Sequence, residues 1–316
     1  DGYVKIQIEA TSINHLDIWV RQGVAGNKYN LPIILGSDGS GTIVDINVEK
    51  SNLKIGDEVI LQPGIFCSKC KFCKDGKENY CIKYGILGET ENGTQSEYIL
   101  AKPQNIFLKP KCLSFQEAAS MPLVFMTAYQ MIHKRAQLKK NETILIYGGA
   151  SGIGMAAIQI CKDLGASIIA TAGSKRKCEF ILNLGVENVI NHNDSEWSLQ
   201  VKDITNNLGV DVVFEHIGYK TWYNSLKFLN IGGRIVTCGA TTGPNVKLHL
   251  SHLFMKQQSI LGSTMSDIDT FKKVIKKIEK KVYKPIVDKV FSISDIKNAH
   301  KYIEERKNIG KIVVCN

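Results

Sequence analysis

Four cysteines crowd into one short stretch of the chain. Cys67, Cys70 and Cys73 are each separated by two residues, and Cys81 follows after seven more. Four thiolates at this spacing can close a tetrahedron around Zn²⁺ with no position left for water or substrate, so the predicted zinc is structural. An iron–sulfur cluster and free buried thiols are the alternatives. Because the nine cysteines are odd in number and unevenly spread, a disulfide framework is disfavoured, and we expect a reducing, cytoplasmic location.

A glycine-rich turn, Tyr147 to Gly154, stands between an apolar run and a segment with helical periodicity. The pyrophosphate of a dinucleotide needs backbone N–H groups at close range and the positive end of a helix, and side chains would block its approach. A tight turn without a ligand is the alternative, but strand, glycines, helix and second strand follow in the required order within about thirty residues. The predicted cofactor contacts in this turn are Gly149, Ser151, Gly152, Ile153 and Gly154.

The segment after the second apolar run indicates which dinucleotide binds. An enzyme that prefers NAD usually places Asp or Glu there to accept hydrogen bonds from the ribose hydroxyls. Here Ser174, Lys175 and Arg176 stand at that point, and no acid occurs before Glu179. A hydroxyl and cations can hold a 2′-phosphate, so we predict NADP(H). The alternative is that these cations simply open the next helix, where they would be unfavourable to the helix dipole.

The composition suits two domains of ordinary size. The chain has 316 residues, 44% of them hydrophobic, and a domain usually holds about 100 to 200 residues. It shows neither a long apolar run nor a secretory signal, so no membrane association is expected. The formal charge of +10 raises nucleic acid as a partner, but lysines are spread along the chain and a solvated surface is the favoured interpretation.

Two regions of the chain differ in their pattern of apolar residues. Residues 1–112 contain short strand-like runs and should be mostly β. Residues 4–10 already alternate between apolar and polar, so the chain is expected to begin inside a domain, with an N-terminal strand missing. From about residue 140 to 262, apolar runs alternate with helical periodicity, which is typical of βαβ units and a parallel sheet. The runs are 144–147, 167–171, 210–215 and 235–238, and a last strand is predicted at 311–315.

Together these motifs resemble the medium-chain dehydrogenase/reductase superfamily. The resemblance rests on the cysteine spacing, the glycine-rich loop, the turn Gly56-Asp57-Glu58-Val59 and the closing segment from Lys307 to Val314. It implies an α/β fold with a mostly β, GroES-like catalytic lobe at residues 1–112 and 263–316. It further implies a Rossmann domain, a doubly wound parallel sheet, at residues 113–262, and a homodimer.

The departures from that family are informative. Its zinc alcohol dehydrogenases hold a catalytic metal at three positions that correspond here to Asn14, Ser37 and Leu123, none of which is a good zinc ligand in that arrangement. The segment from Asn14 to Gly23 instead resembles the quinone oxidoreductase branch, which works without metal. His15 and Asp38 flank the replaced positions and are the residues available for a rebuilt metal site.

The resemblance implies hydride transfer to an electron-poor carbon, with negative charge appearing on a carbonyl or quinone oxygen. Asn14 and Asp17 are the candidate catalytic residues: the Asn14 amide would donate to the oxygen or to the nicotinamide region, and Asp17 would form a supporting or structural pair with Arg21. Further cofactor contacts are expected beside the nicotinamide and at the ends of the later strands: Thr127, His192, Gly218, Cys238 and Gly239.

Three functional hypotheses follow. The first is an NADPH reductase of quinones or α,β-unsaturated carbonyl compounds that works without a catalytic zinc. The second is an alcohol dehydrogenase or carbonyl reductase with unconventional zinc ligands. The third is a non-catalytic protein that binds NADPH and RNA through its basic surface.

Overall fold

The computed structural model describes residues 2–23, 29–49 and 51–316, which form two compact units. Unit 1 comprises the chain up to Met126 together with Ser266–Asn316, and unit 2 comprises Thr127–Met265. Residues 113–126, which the sequence analysis assigned to the Rossmann domain, therefore belong to unit 1. The physical reason is a short helix whose Ala119 joins Ala10 and Val313 in a core cluster of that unit.

The described residues contain strands and α-helices that we number in chain order. The strands are β1 Tyr3–Ile13, β2 Asp38–Asn47, β3 Glu58–Leu61, β4 Gly64–Ile65, β5 Gly85–Ile86, β6 Tyr98–Ala101, β7 Ile106–Leu108, β8 Thr143–Ile146, β9 Ser167–Ala172, β10 Asn188–Asn191, β11 Val210–Glu215, β12 Leu229–Thr237, β13 Ser259–Gly262, β14 Val287–Ser292 and β15 Lys311–Cys315. The α-helices are α1 His15–Gln22, α2 Lys71–Lys74, α3 Phe115–Ala119, α4 Pro122–Tyr129, α5 Gly152–Leu164, α6 Lys175–Asn183, α7 Trp197–Ile204, α8 Trp222–Phe228, α9 Leu250–Met255, α10 Ile268–Glu279 and α11 Ile296–Glu304. A π-helix, Gln130–Arg135, follows α4, and 3₁₀ turns cover Glu78–Tyr80, Pro103–Asn105 and Ile293–Asp295.

Unit 1 is built on a seven-stranded sheet in the order β14-β15-β1-β2-β3-β7, with β6 also paired to β1. The alternation at the start of the chain reflects burial, since Val4, Ile6 and Ile8 of β1 enter the core. Strand β1 lies between β2 and β15, and both pairs are antiparallel. Their registers place Asp38 opposite Ser12 and Ile312 opposite Ile13, so the starts of β2 and β15 flank the end of β1.

Unit 2 is a six-stranded parallel sheet in the order β10-β9-β8-β11-β12-β13. Helices connect its strands, and the apolar strands are buried in the core, as at Ile144, Val213 and Ile235. The chain runs from β8 outward to β9 and β10, and then returns to β11 on the other side of β8. This reversal is the topological switch point at which doubly wound sheets bind ligands.

The predicted fold class, a mostly β lobe joined to a Rossmann-type parallel sheet, is confirmed. None of the helices in the described ranges combines the length and the apolar composition that a membrane crossing needs.

Candidate functional site

The four predicted zinc cysteines meet in unit 1. Helix α2 and the 3₁₀ turn after it bring their sulfur atoms within 4.8 Å of one another. Backbone N–H groups point at the sulfurs: that of Cys70 lies 3.4 Å from Cys67 Sγ, and that of Cys67 lies 3.3 Å from Cys81 Sγ. The backbone N–H groups of Lys69 and Cys70 favour the Cys67 thiolate and lower the pKa of Cys67 to about 6. Four convergent sulfur donors fit a closed, structural zinc site.

The glycine-rich loop lies between β8 and α5 in unit 2. Ser151 caps α5, because its Oγ accepts the N–H of Gly154 at 3.1 Å. A Cβ on Gly154 would lie 2.3 Å from the carbonyl oxygen of Gly148, so the loop packs too closely for a side chain there. The N–H groups of Gly152 and Ile153, at the start of the helix, have no partner inside the helix and suit a phosphate. The loop therefore has the geometry predicted for a pyrophosphate cradle.

The cationic segment follows β9 at the same edge of the sheet. Ser174 begins α6, with its Oγ accepting the N–H of Lys177 at 3.4 Å. Lys175 and Arg176 are exposed in the first turn of that helix. His192, after β10, stands beside this segment: its ring contacts Thr171 Oγ1 at 3.2 Å, and a Cβ on Gly173 would lie 2.9 Å from its Nε2. Positive groups thus gather where the ribose end of a dinucleotide is expected.

The remaining predicted cofactor residues follow β11 and β12. Gly218, with φ +87°, donates its N–H to Glu215 Oε1 at 3.1 Å. Cys238 is partly buried, and burial raises the pKa of its thiol to about 12, so it remains protonated. The Gly239 carbonyl accepts from Thr237 Oγ1 at 3.3 Å. Because carboxyl ends of parallel strands share one edge, these segments, the glycine-rich loop and the cationic segment lie along the same side of the sheet.

Thr127 begins unit 2 within α4. It is 4% exposed, and its Oγ1 lies 3.9 Å from the sulfur of Met265, the last residue of the same unit. The predicted contact of Thr127 with a nicotinamide stays a prediction.

A buried polar cluster lies where β1 ends between β2 and β15. Oδ2 of the fully buried Asp38 accepts hydrogen bonds from Ser12 Oγ at 2.9 Å and from Asn14 Nδ2 at 2.9 Å. The Lys311 ammonium lies 3.1 Å from the same oxygen and 2.5 Å from Asn14 Oδ1. Asp38 Oδ1 accepts the N–H of Leu123, near the start of α4, at 2.8 Å. We call Ser12, Asn14, Asp38 and Lys311 the Asn14 cluster.

Asp17, the second catalytic candidate, is fully buried beside this cluster. Its Oδ2 accepts the N–H of Asn14 at 2.7 Å, and its Oδ1 accepts the N–H of Gly36 at 3.0 Å. Burial raises its pKa to about 6 against the lowering effect of these hydrogen bonds and of the Lys311 charge. The two carboxylate oxygens bind backbone N–H groups of two segments beside the cluster. We therefore interpret Asp17 as a residue that positions these segments and not as a catalytic residue.

The predicted pair between Asp17 and Arg21 is wrong. Arg21 reaches α11 instead, where its guanidinium forms an ion pair with Glu304 and contacts His300 Nδ1 at 3.2 Å. The spacing of four residues on α1 would allow the expected pair. It does not form because the Asp17 side chain turns inward to the backbone N–H groups.

A catalytic zinc does not fit this part of unit 1. The three positions that would supply ligands hold the amide of Asn14, the hydroxyl of Ser37 and the aliphatic side chain of Leu123. The Lys311 ammonium, 2.5 Å from the amide oxygen, would repel a second cation there.

The rebuilt site through His15 and Asp38 is not supported either. Both oxygens of Asp38 already accept hydrogen bonds, and the His15 ring lies against Trp19 with centroids 6.3 Å apart. Among the described residues, the four cysteines form the one group of three or more potential ligands close enough to share a metal.

Sequence reasoning missed two residues that organise these sites. The sequence pattern identifies Lys311 as part of the closing segment and not as a buried charge. Glu215 is fully buried at the end of β11, where its two oxygens accept from the N–H groups of Ile217 and Gly218 and from the hydroxyls of Thr221 and Ser225. In both cases the available signal was a charged residue at one end of an apolar, strand-forming run: Lys311 begins β15 and Glu215 ends β11.

The two units match known families in the order in which they occur along the chain. Residues 1–111 match the alcohol dehydrogenase GroES-like domain, and residues 152–280 match the zinc-binding dehydrogenase domain. A crystal structure of an NAD-dependent alcohol dehydrogenase superimposes with a TM-score of 0.95 at 38% identity, covering 100% of this chain and 92% of that one. The D-arabinose 1-dehydrogenase (NADP(+)) of Saccharolobus solfataricus is 31% identical over 98% of this chain and 89% of its own length. The quinone oxidoreductase of Rattus norvegicus is 26% identical over 98% and 88%.

A parallel sheet with a dinucleotide loop, joined to a β-rich unit with a four-cysteine cluster, defines an oxidoreductase that depends on a nicotinamide cofactor. The chain belongs to the medium-chain dehydrogenase/reductase superfamily.

Proposed function

We propose that this enzyme uses NADPH to reduce a quinone or an α,β-unsaturated carbonyl compound without a catalytic zinc. The observation that supports this most directly is the Asn14 cluster, in which a buried lysine and an amide stand where a metal and its ligands would be needed. The likeness to a quinone oxidoreductase points to the same substrate class. The proposal includes one structural zinc per chain, a homodimer and a cytoplasmic location.

The cofactor preference rests on the segment after β9. Lys175 and Arg176 are exposed at the start of α6, and Ser174 offers a hydroxyl beside them. A carboxylate at this point would repel a 2′-phosphate, whereas these groups can form charge-assisted hydrogen bonds with it. The NADP(+) in the name of one relative agrees with this, and the NAD in the name of another makes the preference worth measuring.

When bound, the reduced nicotinamide supplies a hydride to the electron-poor carbon of the substrate. The protein must then stabilise the negative charge that develops on the substrate oxygen. The Asn14 side chain has one N–H directed to Asp38 and a second N–H left to donate to that oxygen. The proton that completes the reduction comes from solvent in this proposal.

One experiment tests the reaction class and the role of the metal together. NADPH oxidation would be measured with quinones, enones, aldehydes and ketones, and the zinc content would be determined on the same sample. We expect turnover with quinones or enones and one zinc per chain. Absence of turnover with both classes would contradict the proposal.

The second candidate is an alcohol dehydrogenase, favoured by the 38% identical structure of that description. It predicts alcohol oxidation coupled to reduction of the oxidised cofactor, together with a second zinc per chain that is lost on brief chelation. The same screen, run in the oxidative direction with primary and secondary alcohols, separates the two candidates.

A further inference from the structure

The Lys311 ammonium is buried and fully satisfied. It is 5% exposed and has three hydrogens to donate. Three oxygens accept them: the Ile13 carbonyl at 3.0 Å, Asn14 Oδ1 at 2.5 Å and Asp38 Oδ2 at 3.1 Å. No hydrogen is left for a substrate, so any effect of Lys311 on the reaction must act through a neighbour.

The neighbours of Asn14 decide which way its amide points. A lysine ammonium can donate but not accept, and a carboxylate can accept but not donate. With Lys311 at one end and Asp38 at the other, the amide oxygen must face the lysine and the amide nitrogen must face the carboxylate. A flipped amide would place N–H groups against the ammonium and leave the carboxylate facing an oxygen. One N–H of Asn14 therefore remains available in a fixed direction.

The lysine also changes the strength of that remaining N–H as a donor. A positive charge on the amide oxygen draws electron density from the amide nitrogen, and linked hydrogen bonds polarise one another in a buried setting. The Asp38 charge is shared among Ser12, Lys311 and the Leu123 N–H, which limits how far it opposes this effect.

We infer that Lys311, held by Asp38, is a positioning residue that orients and polarises the Asn14 amide for donation to the substrate oxygen. The inference rests on the proposed function, because it gives Asn14 the catalytic contact. In the proposed reaction, which uses no second metal, the fixed charge of Lys311 would then help to stabilise the negative charge on the substrate oxygen.

The test is a kinetic cycle of Lys311→Met, Asn14→Ala and the double variant, with Lys301→Met, an exposed lysine of α11, as the matched control. Loss of an oxyanion donor lowers kcat by about 100-fold or more, and this is the expected effect of Asn14→Ala. We expect Lys311→Met to lower kcat about tenfold, with little change in KM, when Asn14 is present, since polarisation modifies a donor without removing it. In the Asn14→Ala background, Lys311→Met should change kcat by less than about twofold, because the group through which it acts is gone. An equal loss in both backgrounds would show a merely structural role and overturn the inference.

Lys311→Met leaves a buried carboxylate without its cation, and the variant could fail to fold. Asp38→Asn combined with Lys311→Met removes both charges and preserves a hydrogen-bond partner for the Asn14 amide. This neutral pair should fold, bind NADPH and still lose kcat. Wild-type kcat in the neutral pair would also overturn the inference.

A second measurement does not depend on turnover. The side-chain amide resonances of Asn14, assigned by their loss in Asn14→Ala, should shift in Lys311→Met or in the neutral pair and not in Lys301→Met. If the wild type reduces none of the substrates tested, the proposed function fails while these resonances still report on the orientation of the amide. Unchanged Asn14 resonances would contradict the role of Lys311 whatever the activity.

Discussion

At the scale of single residues, the carboxylates of Asp17 and Asp38 are both fully buried in unit 1 but have different partners. Asp38 lies beside the Lys311 ammonium and accepts hydrogen bonds at both oxygens. Among the described residues no cation contacts Asp17 directly, and its carboxylate accepts the backbone N–H groups of Asn14 and Gly36. Burial therefore raises the pKa of Asp17 to about 6, from an ordinary value of 3.8.

The raised pKa of Asp17 predicts a definite sign for its effect on stability. The unfolded chain releases this proton near its ordinary pKa, and the folded chain releases it only near pH 6. Between about pH 4 and 6 the folded state binds more protons, so the contribution of Asp17 to the free energy of unfolding falls as the pH rises, by about 3 kcal/mol in all. We expect the free energy of unfolding of the wild type minus that of Asp17→Asn, measured from pH 4 to 7, to fall across this window. A difference that stays constant or rises would contradict the assignment.

The prediction of NADP(H) as the cofactor depends on Ser174, Lys175 and Arg176. Replacing Lys175 or Arg176 by Ala should raise the dissociation constant of NADPH about tenfold or more, because each change removes a charge-assisted hydrogen bond. The dissociation constant of NADH, which lacks the 2′-phosphate, should change little. Fluorescence titration of both cofactors measures this, with Lys202→Ala, an exposed lysine of α7, as the control. Equal losses for NADPH and NADH would place the phosphate elsewhere.

The spacing of residues along the chain predicts some of these site residues but not the ones that come together only in the fold. The four cysteines and the glycine-rich turn lie within short segments, so their chemistry can be read from neighbours in sequence. Lys311 and Asp38 are 273 residues apart, and only the pairing of β15 and β2 on either side of β1 joins them. The prediction of an Asp17–Arg21 pair was wrong for the opposite reason. The local spacing was favourable, but the Asp17 carboxylate accepts backbone hydrogen bonds instead.

At the scale of elements, the strand-to-helix turn after β8 depends on the absence of a side chain. Gly154→Ala would place a Cβ 2.3 Å from the Gly148 carbonyl, against backbone that cannot rotate away. We expect the variant to lose about 1 to 3 kcal/mol of stability through overpacking. Because the displaced backbone belongs to the proposed pyrophosphate cradle, NADPH and NADH binding should both weaken.

Gly262→Ala serves as the control, since a Cβ on Gly262 of β13 would meet nothing within 4 Å. Calorimetry and cofactor titration on both variants provide the measurement. Unaltered binding in Gly154→Ala would show that the loop does not approach the cofactor.

Element prediction worked best where a strand is buried on both faces. The predicted run at 210–215 coincides with β11, and that at 167–171 falls one residue short of β9. By contrast, β12 begins at Leu229, six residues before the predicted run at 235, because its first half, in which Ile231 and Gly232 are exposed, lacks a continuous apolar signal. The predicted domain boundary at residue 113 lies too early because α3 packs on β1 and β2 of unit 1, and α4 remains in that unit as far as Met126.

At the scale of the whole molecule, the parallel sheet of unit 2 leaves β13 as an edge strand. Apolar side chains near it are exposed: Ile260 on the strand, and Leu250, Phe254 and Met255 on α9. Pairing of two such edges would form the proposed homodimer and cover these side chains. Ile260→Lys should yield a monomer in sedimentation experiments, because a charge on an edge strand opposes strand pairing. Leu208→Lys, at another exposed apolar position, is the control, and a dimeric Ile260→Lys protein would refute this interface.

The four-cysteine cluster belongs to unit 1, whereas the cofactor loops belong to unit 2. Cys70→Ser should reduce the zinc content from one per chain to a small fraction, because a hydroxyl replaces one of four thiolates. The melting temperature should fall and the segment 67–81 should become sensitive to protease, since metal binding and local folding are coupled. NADPH binding at 25 °C should persist.

Cys112→Ser, which changes an exposed cysteine outside the cluster, should keep its zinc and its melting temperature. Iron and visible absorbance in place of zinc, or full zinc content in Cys70→Ser, would contradict the assignment of a structural zinc.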